Sequence, residues 1–225
     1  MRYQTKQDQV AEVLRERIIA GVYERGQKLK QTDLAEELGV SVTPVREALR
    51  ILEAEGYVLG LSHRGVLVPP FNVEQAKELF ELRMSLELSL TAHALPSLTD
   101  DKLQELYALQ DVYAESTKKL DRNELRTANY RLHFRLYELA RRPQTLQFVR
   151  VLWAKYPFHY LDAIKSRTAR AVREHIVFLE CLKNGDHSGA LEAMEFHIRC
   201  GWEEFSSRQV AELATPVYDI QENSR

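Results

Sequence analysis

Asn129 and His133 lie four residues apart in a stretch of helical periodicity, so their side chains share one helix face. His175 and His197 flank the turn Asn184-Gly185-Asp186, ten residues before and twelve after Gly185. At the rise of an α-helix they stand about 15 and about 18 Å from that turn, level with one another in an antiparallel hairpin. If the helix over 122–140 packs alongside, three imidazoles and an amide oxygen meet inside a bundle. That donor set suits Zn, Ni, Mn or Fe and leaves positions open for a ligand. The plain alternative is three separate histidines, each satisfied by ordinary hydrogen bonds. Spacing alone does not choose between them.

A second constellation begins at Ser41, which is placed to cap a helix whose apolar stripe is Val45, Ala48, Leu49 and Leu52. The stripe turns Val42, Thr43, Arg46, Glu47 and Arg50 away from the core. Arg46 and Arg50 sit one turn apart, where a recognition helix presents side chains to the major groove. An arginine there forks to guanine O6 and N7 or grips phosphate. Thr43 can bond a base edge or a phosphate. Arg64, beside Gly65 at the tip of a tight turn, suits a wing reaching phosphate or the minor groove, and Lys28 and Lys30 add phosphate contacts. The bland reading is a solvated amphipathic helix with arginines paired to Glu47, Glu53 or Glu55.

These residues need elements to hold them. Val10, Val13, Leu14, Ile18 and Ile19 predict a helix over 8–20, and a short helix follows over 31–38, stopped by Gly39. After Gly56, the runs Tyr57–Leu61 and Val66–Val68 read as a β-hairpin closed by Ser62-His63-Arg64-Gly65. Three helices and a hairpin make a winged helix-turn-helix over 1–70, with Pro69-Pro70 as the boundary. Beyond it, helices are expected over 73–95, 100–120, 122–140, 143–165, 168–183 and 186–207. The predicted fold is mainly α: the winged module plus an all-α antiparallel bundle over 71–225.

The bulk numbers permit this and exclude other classes. The chain has 225 residues, long enough for two domains. No apolar run is long enough for a membrane span, and MRYQTKQDQV lacks a secretory h-region. The expected compartment is the cytoplasm, where Cys181 and Cys200 serve as small core hydrophobes. Lys plus Arg number 31 and Asp plus Glu 33, a balance that forces the case for DNA onto where the charges fall.

The run LKQTDLAEELGVSVTPVREALRILEAEGYVLGLSHRGVLV resembles the N-terminal domain of the GntR family of bacterial regulators. The family pattern has arginine after the serine, where this chain has Val42; Thr43, Arg46, Arg50 and the wing glycine Gly65 are retained. A valine at that place can pack on a thymine methyl. The segments ELFELRMSLE, NYRLHF and REHIVFLECLKNGDHSGALEAM, followed by His197, resemble the FCD domain of the FadR-like branch in its six-helix, VanR-like form. The resemblance implies a divalent metal held by Asn129, His133, His175 and His197, with Asn129 standing where relatives carry an acid. It also implies that Arg83 faces the pocket and grips an effector carboxylate; the competing role is a salt bridge to Glu87. His93, His159 and His187 fall outside the pattern. Trp153, Tyr156, Phe158 and Tyr160 are expected as core or as pocket walls.

The resulting expectation is a homodimer on a near-palindromic double-stranded operator, most often a repressor released by its ligand, with no membrane partner. The ligand would tilt bundle helices, and Pro69-Pro70 would pass the movement on. A metal-dependent hydrolase using the histidine cluster is the alternative, but no HExxH occurs and no glutamate stands at a helical spacing suited to a general base. A third reading gives the metal a purely structural role.

Overall fold

The computed structural model describes residues 5–61, 65–119, 121–156, 158 and 165–214, without the side chains of 165, 166 and 208–214. Helix α1 (Lys6–Ile19) starts at Thr5, whose hydroxyl accepts the Asp8 backbone N–H at 3.3 Å while Asp8 Oδ2 accepts the Thr5 N–H at 3.0 Å. This reciprocal box satisfies two orphan donors of the first turn. Helices α2 (Gln31–Glu37) and α3 (Val42–Ala54) follow. Ser41 occupies the cap position of α3, yet its side chain makes no capping hydrogen bond. The α3 stripe Val45, Ala48, Leu49 and Leu52 is buried and packs with Val10, Leu14 and Ile18 of α1.

The wing differs from the expected hairpin in two respects. Strands β2 (Leu59–Leu61) and β3 (Gly65–Leu67) pair antiparallel, but β1 (Lys28–Leu29) pairs with the other edge of β3, giving the order β1-β3-β2. Two residues are too few to display strand alternation in a sequence. Tyr57 and Val58, expected in a strand, instead lie before β2 as buried core residues.

The bundle consists of α4 (Ala76–Ala94), α5 (Asp100–Ser116), α6 (Arg122–Glu138), α7 (Pro143–Lys155), α8 (Lys165–Lys183) and α9 (His187–Ala214). The expected helix over 143–165 ends at Lys155. On α4 the buried face carries Arg83, Glu87, Leu90, Thr91 and Ala94, a helical spacing that mixes charge into the core. Helices α8 and α9 form the expected hairpin, turning at Gly185 with a φ of 68°, and Asp186 Oδ1 accepts the Gly189 N–H at 2.9 Å to start α9.

Helix α5 packs on α6 and α8, while α4 packs on α6, α7 and α9. One apolar cluster runs from Leu14 and Leu52 through Tyr130 and Trp153 to Leu179 and Ile198, so the winged module and the bundle share a core. The seam is also polar: Arg126 donates to the Gly21 carbonyl at 2.8 Å and Arg131 Nε to Glu16 Oε1 at 2.7 Å. No helix among the described residues is long and apolar enough to cross a membrane.

Candidate functional site

Burial of one α3 face against α1 leaves Thr43, Arg46 and Arg50 exposed on the other. Between α3 and the wing lies a groove of about 940 Å³ whose described lining residues include Lys28, Lys30, Arg46 and Arg50 but a single carboxylate, Glu53. The balanced total charge thus conceals a basic surface, as expected of a phosphate-facing groove. Arg46 Nε donates to Gln31 Oε1 at 3.1 Å, and Arg50 donates to Glu47 Oε1 at 3.2 Å. The Arg50 side chain remains 69% exposed in that pair, so its partner is easily exchanged.

Val42 corrects the expectation of an outward side chain. It is half-buried and packs against the core cluster, as Leu38 and Val40 also do, while still lining the groove. Gly65 has a φ of 94°, and a Cβ there would collide with the Leu29 carbonyl oxygen, so the close approach of β1 alone demands glycine. Arg64 lies outside the described residues.

In the bundle, His133 of α6, His175 of α8 and His197 of α9 present ligand atoms that all lie within 4.8 Å of one another. Each imidazole is oriented through Nδ1. His133 Nδ1 bonds the Tyr137 hydroxyl at 3.1 Å, His175 Nδ1 bonds Gln110 Oε1 at 2.9 Å, and His197 Nδ1 bonds Glu174 Oε2 at 2.7 Å. With Nδ1–H donating, Nε2 carries the lone pair. His175 Nε2 and His197 Nε2 are 3.4 Å apart, and His133 Nε2 is buried with no hydrogen-bond partner.

Burial pushes all three histidines below their ordinary pKa, helped by the Arg167 guanidinium and, at His133 and His175, by the neighbouring imidazoles; at His197 the Glu174 carboxylate opposes the shift. Neutral imidazoles aimed at one point, with one nitrogen unsatisfied, fit a divalent ion better than three separately satisfied histidines. Asn129 is half-buried and lines the same cavity as His197, Arg83 and Arg167.

Arg83 makes the salt bridge weighed for it and also reaches the cavity wall. Its Nε donates to buried Glu87 Oε1 at 2.6 Å, and it also lines the cavity. Its guanidinium carbon sits 4.2 Å from the Tyr156 ring centre, 4.8 Å from Phe158 and 5.2 Å from Trp153, so these aromatics cage a cation. Burial opposes its charge, but the Glu87 carboxylate holds its pKa above the ordinary arginine value. Tyr160 and His159 lie outside the described residues; His93 bonds the Ser89 carbonyl and takes no part.

Sequence reasoning missed the partners. Arg167 is buried, donates to Glu174 Oε2 at 2.7 Å and to the His197 carbonyl at 3.2 Å, and lines the cavity as a second arginine. Burial raises the Glu174 pKa, but His197 and Arg167 outweigh it, so this carboxylate sits below its usual range. Tyr137, four residues after His133, carried a helical-spacing signal; Gln110, from another helix, carried none.

Comparison with known proteins assigns the architecture. Residues 6–68 match the bacterial regulatory proteins of the gntR family, and residues 78–199 match the FCD domain. The HTH-type transcriptional regulator McbR of Escherichia coli K12 is 30% identical over 188 residues, spanning 80% of this chain and 84% of that protein. A gluconate operon transcriptional repressor of Bacillus licheniformis is 31% identical over 115 residues, spanning 51% of this chain and 47% of that protein. The solved structure of E. coli McbR/YncC superposes with a TM-score of 0.82 at 24% identity, covering 91% of this chain and 99% of that one. These relatives are regulators, and the hydrolase reading gains no support from them. The chain is a transcriptional regulator rather than an enzyme, and it belongs to the gntR family of bacterial regulatory proteins, with an FCD domain as its second part.

Proposed function

We propose that this regulator is a cytoplasmic, homodimeric repressor released from a near-palindromic operator by a small organic or sugar acid. Residues 1–70 read the duplex: Thr43, Arg46 and Arg50 enter the major groove, Val42 and Gly65 shape the groove wall, and Lys30 meets phosphate. Residues 71–225 bind the effector and form the dimer. The name of the gluconate operon repressor among its relatives supports both the sign of control and the ligand class.

The observation that carries this reading is the convergence of three imidazoles, whose ligand atoms lie within 4.8 Å of one another, at a cluster whose member His197 lines a cavity with Arg83 and Arg167. His133, His175 and His197 would hold a divalent ion (Zn, Ni, Mn or Fe), with the Asn129 amide beside them. Such an ion supplies a Lewis-acidic contact for a carboxylate oxygen. Arg83 and Arg167 fork the remaining anionic oxygens. The cavity measures about 50 Å³, well short of the roughly 300–1,000 Å³ of ordinary small-molecule sites. An acid of sugar size therefore enters by parting helices, and α6, which carries His133, passes the displacement to α1 through Arg126 and Arg131. The seam, more than the Pro69-Pro70 linker, is the route.

Linkage gives the test. With an operator obtained by selection from random duplexes, gluconate and a panel of related acids are titrated against operator affinity by fluorescence anisotropy. The active acid should weaken operator binding by about 5- to 150-fold, and operator should weaken acid binding by the same factor. Independent affinities would sink the proposal.

A further inference from the structure

A second cavity, of about 410 Å³, opens on the seam between the winged module and the bundle. Its lining brings Arg25, from the segment between α1 and β1, together with Arg122 and Arg126 of α6. Glu24 is the one carboxylate among the described lining residues, and the aromatic rings of Tyr23 and Tyr156 contribute to the walls. Leaving Arg126 aside, Arg25 and Arg122 bring two guanidinium groups against that one acid among the described lining residues of a partly enclosed space.

Arg25 sharpens the imbalance. Its guanidinium donates to the Tyr156 carbonyl at 3.1 Å, and no carboxylate among the described residues pairs with it. Burial alone lowers its pKa to about 10. A largely desolvated arginine facing a cavity, with no described carboxylate bonded to it, carries an electrostatic cost that a bound anion removes. Arg126 is engaged differently, donating to the Gly21 carbonyl and so fixing one wall.

We propose that this cavity is a binding site for a small oxyanion, a phosphate group or a compact polycarboxylate, whose oxygens Arg25 and Arg122 grip from opposite sides of the seam. Planar guanidinium groups match such oxygens in bidentate fashion. The volume lies within the range of small-molecule sites and exceeds that of the cavity beside the histidines. The bound anion ties the winged module to α6, and Arg122 lies eleven residues, about 16 Å along the helix, from His133. Occupancy therefore fixes the angle at which the recognition helices are presented, independently of any ligand at the histidine cluster.

The test is thermal unfolding of the full-length protein at constant ionic strength, with chloride replaced stepwise by inorganic phosphate or by citrate. At least one of the two should raise the unfolding midpoint of the wild type, and the rise should persist after metal is removed by chelation and dialysis. Arg25→Met should weaken the apparent affinity about tenfold, the loss of one charge-assisted contact. Arg122→Met should weaken it too, and it carries the test should Arg25→Met fail to fold. Operator affinity of Arg25→Met in anion-free buffer should equal that of the wild type. No response to either anion, a response of wild-type strength in both variants, or a response lost with the metal overturns the proposal. So does weaker operator binding by Arg25→Met in anion-free buffer, which would place Arg25 on the DNA backbone.

Discussion

His133 Nδ1 lies 3.1 Å from the Tyr137 hydroxyl, one helical turn further along α6, and that hydroxyl in turn donates to Glu87 Oε2 at 2.6 Å. Glu87 Oε1 accepts from Arg83. One hydrogen-bonded chain therefore joins the arginine at the cavity to the imidazole whose Nε2 is unsatisfied. Partners of this kind fix ligand tautomer and orientation. Tyr137→Phe should lower divalent-metal affinity by about 10- to 100-fold, measured by competition with a chromogenic chelator, with helical content unchanged. Unaltered affinity would show that His133 needs no such support.

The Arg83–Glu87 pair is fully internal, and breaking it from one side strands a carboxylate. Arg83→Met should destabilise the protein by roughly 3–5 kcal/mol. Arg83→Met combined with Glu87→Leu should recover most of that loss in chemical unfolding, yet remain deaf to the effector acid. If the double variant responded to the acid like the wild type, Arg83 would be a core residue only.

Arg46 Nε donates to the Gln31 side-chain oxygen, which under the proposed function makes Gln31 a positioning residue for base reading. Arg46→Ala should cost roughly 1–3 kcal/mol in operator binding and relax preference at one base pair. Gln31→Ala should broaden preference at that same base pair with a smaller loss. Anisotropy titrations on duplexes varied one position at a time separate the two effects. A uniform loss across all sequences would make Arg46 a phosphate contact instead.

Gly65→Ala meets both a positive φ and the Leu29 carbonyl oxygen. The backbone strain alone should cost roughly 1–3 kcal/mol, and separation of β1 from β3 should add to it. A lowered thermal midpoint together with weakened DNA binding is expected. A midpoint equal to the wild type would mean that β1 is dispensable.

Strong periodicity made most of the fold legible. Val45, Ala48, Leu49 and Leu52 fix the inner face of α3, and the Gly185 turn puts His175 and His197 level, because helical rise is constant. Sequence spacing could not show which third helix closes the site, since the choice of neighbour depends on packing. Nor did it reveal β1, two residues long, or the half-buried state of Val42, which packs against the core cluster. Gln110 and Arg167 reach the histidines from positions with no pattern linking them to His175 or His197. The Arg25–Tyr156 contact joins elements more than a hundred residues apart, which local patterning cannot report.

The claim on which the sensing role rests is tested most directly by elemental analysis of protein saturated with a divalent ion and then freed of excess. Wild type should retain about one equivalent per chain, the count set by a single cluster of three histidines. His175→Ala with His197→Ala should retain none while staying folded. Equal metal content in the two proteins, or none in either, would contradict the account.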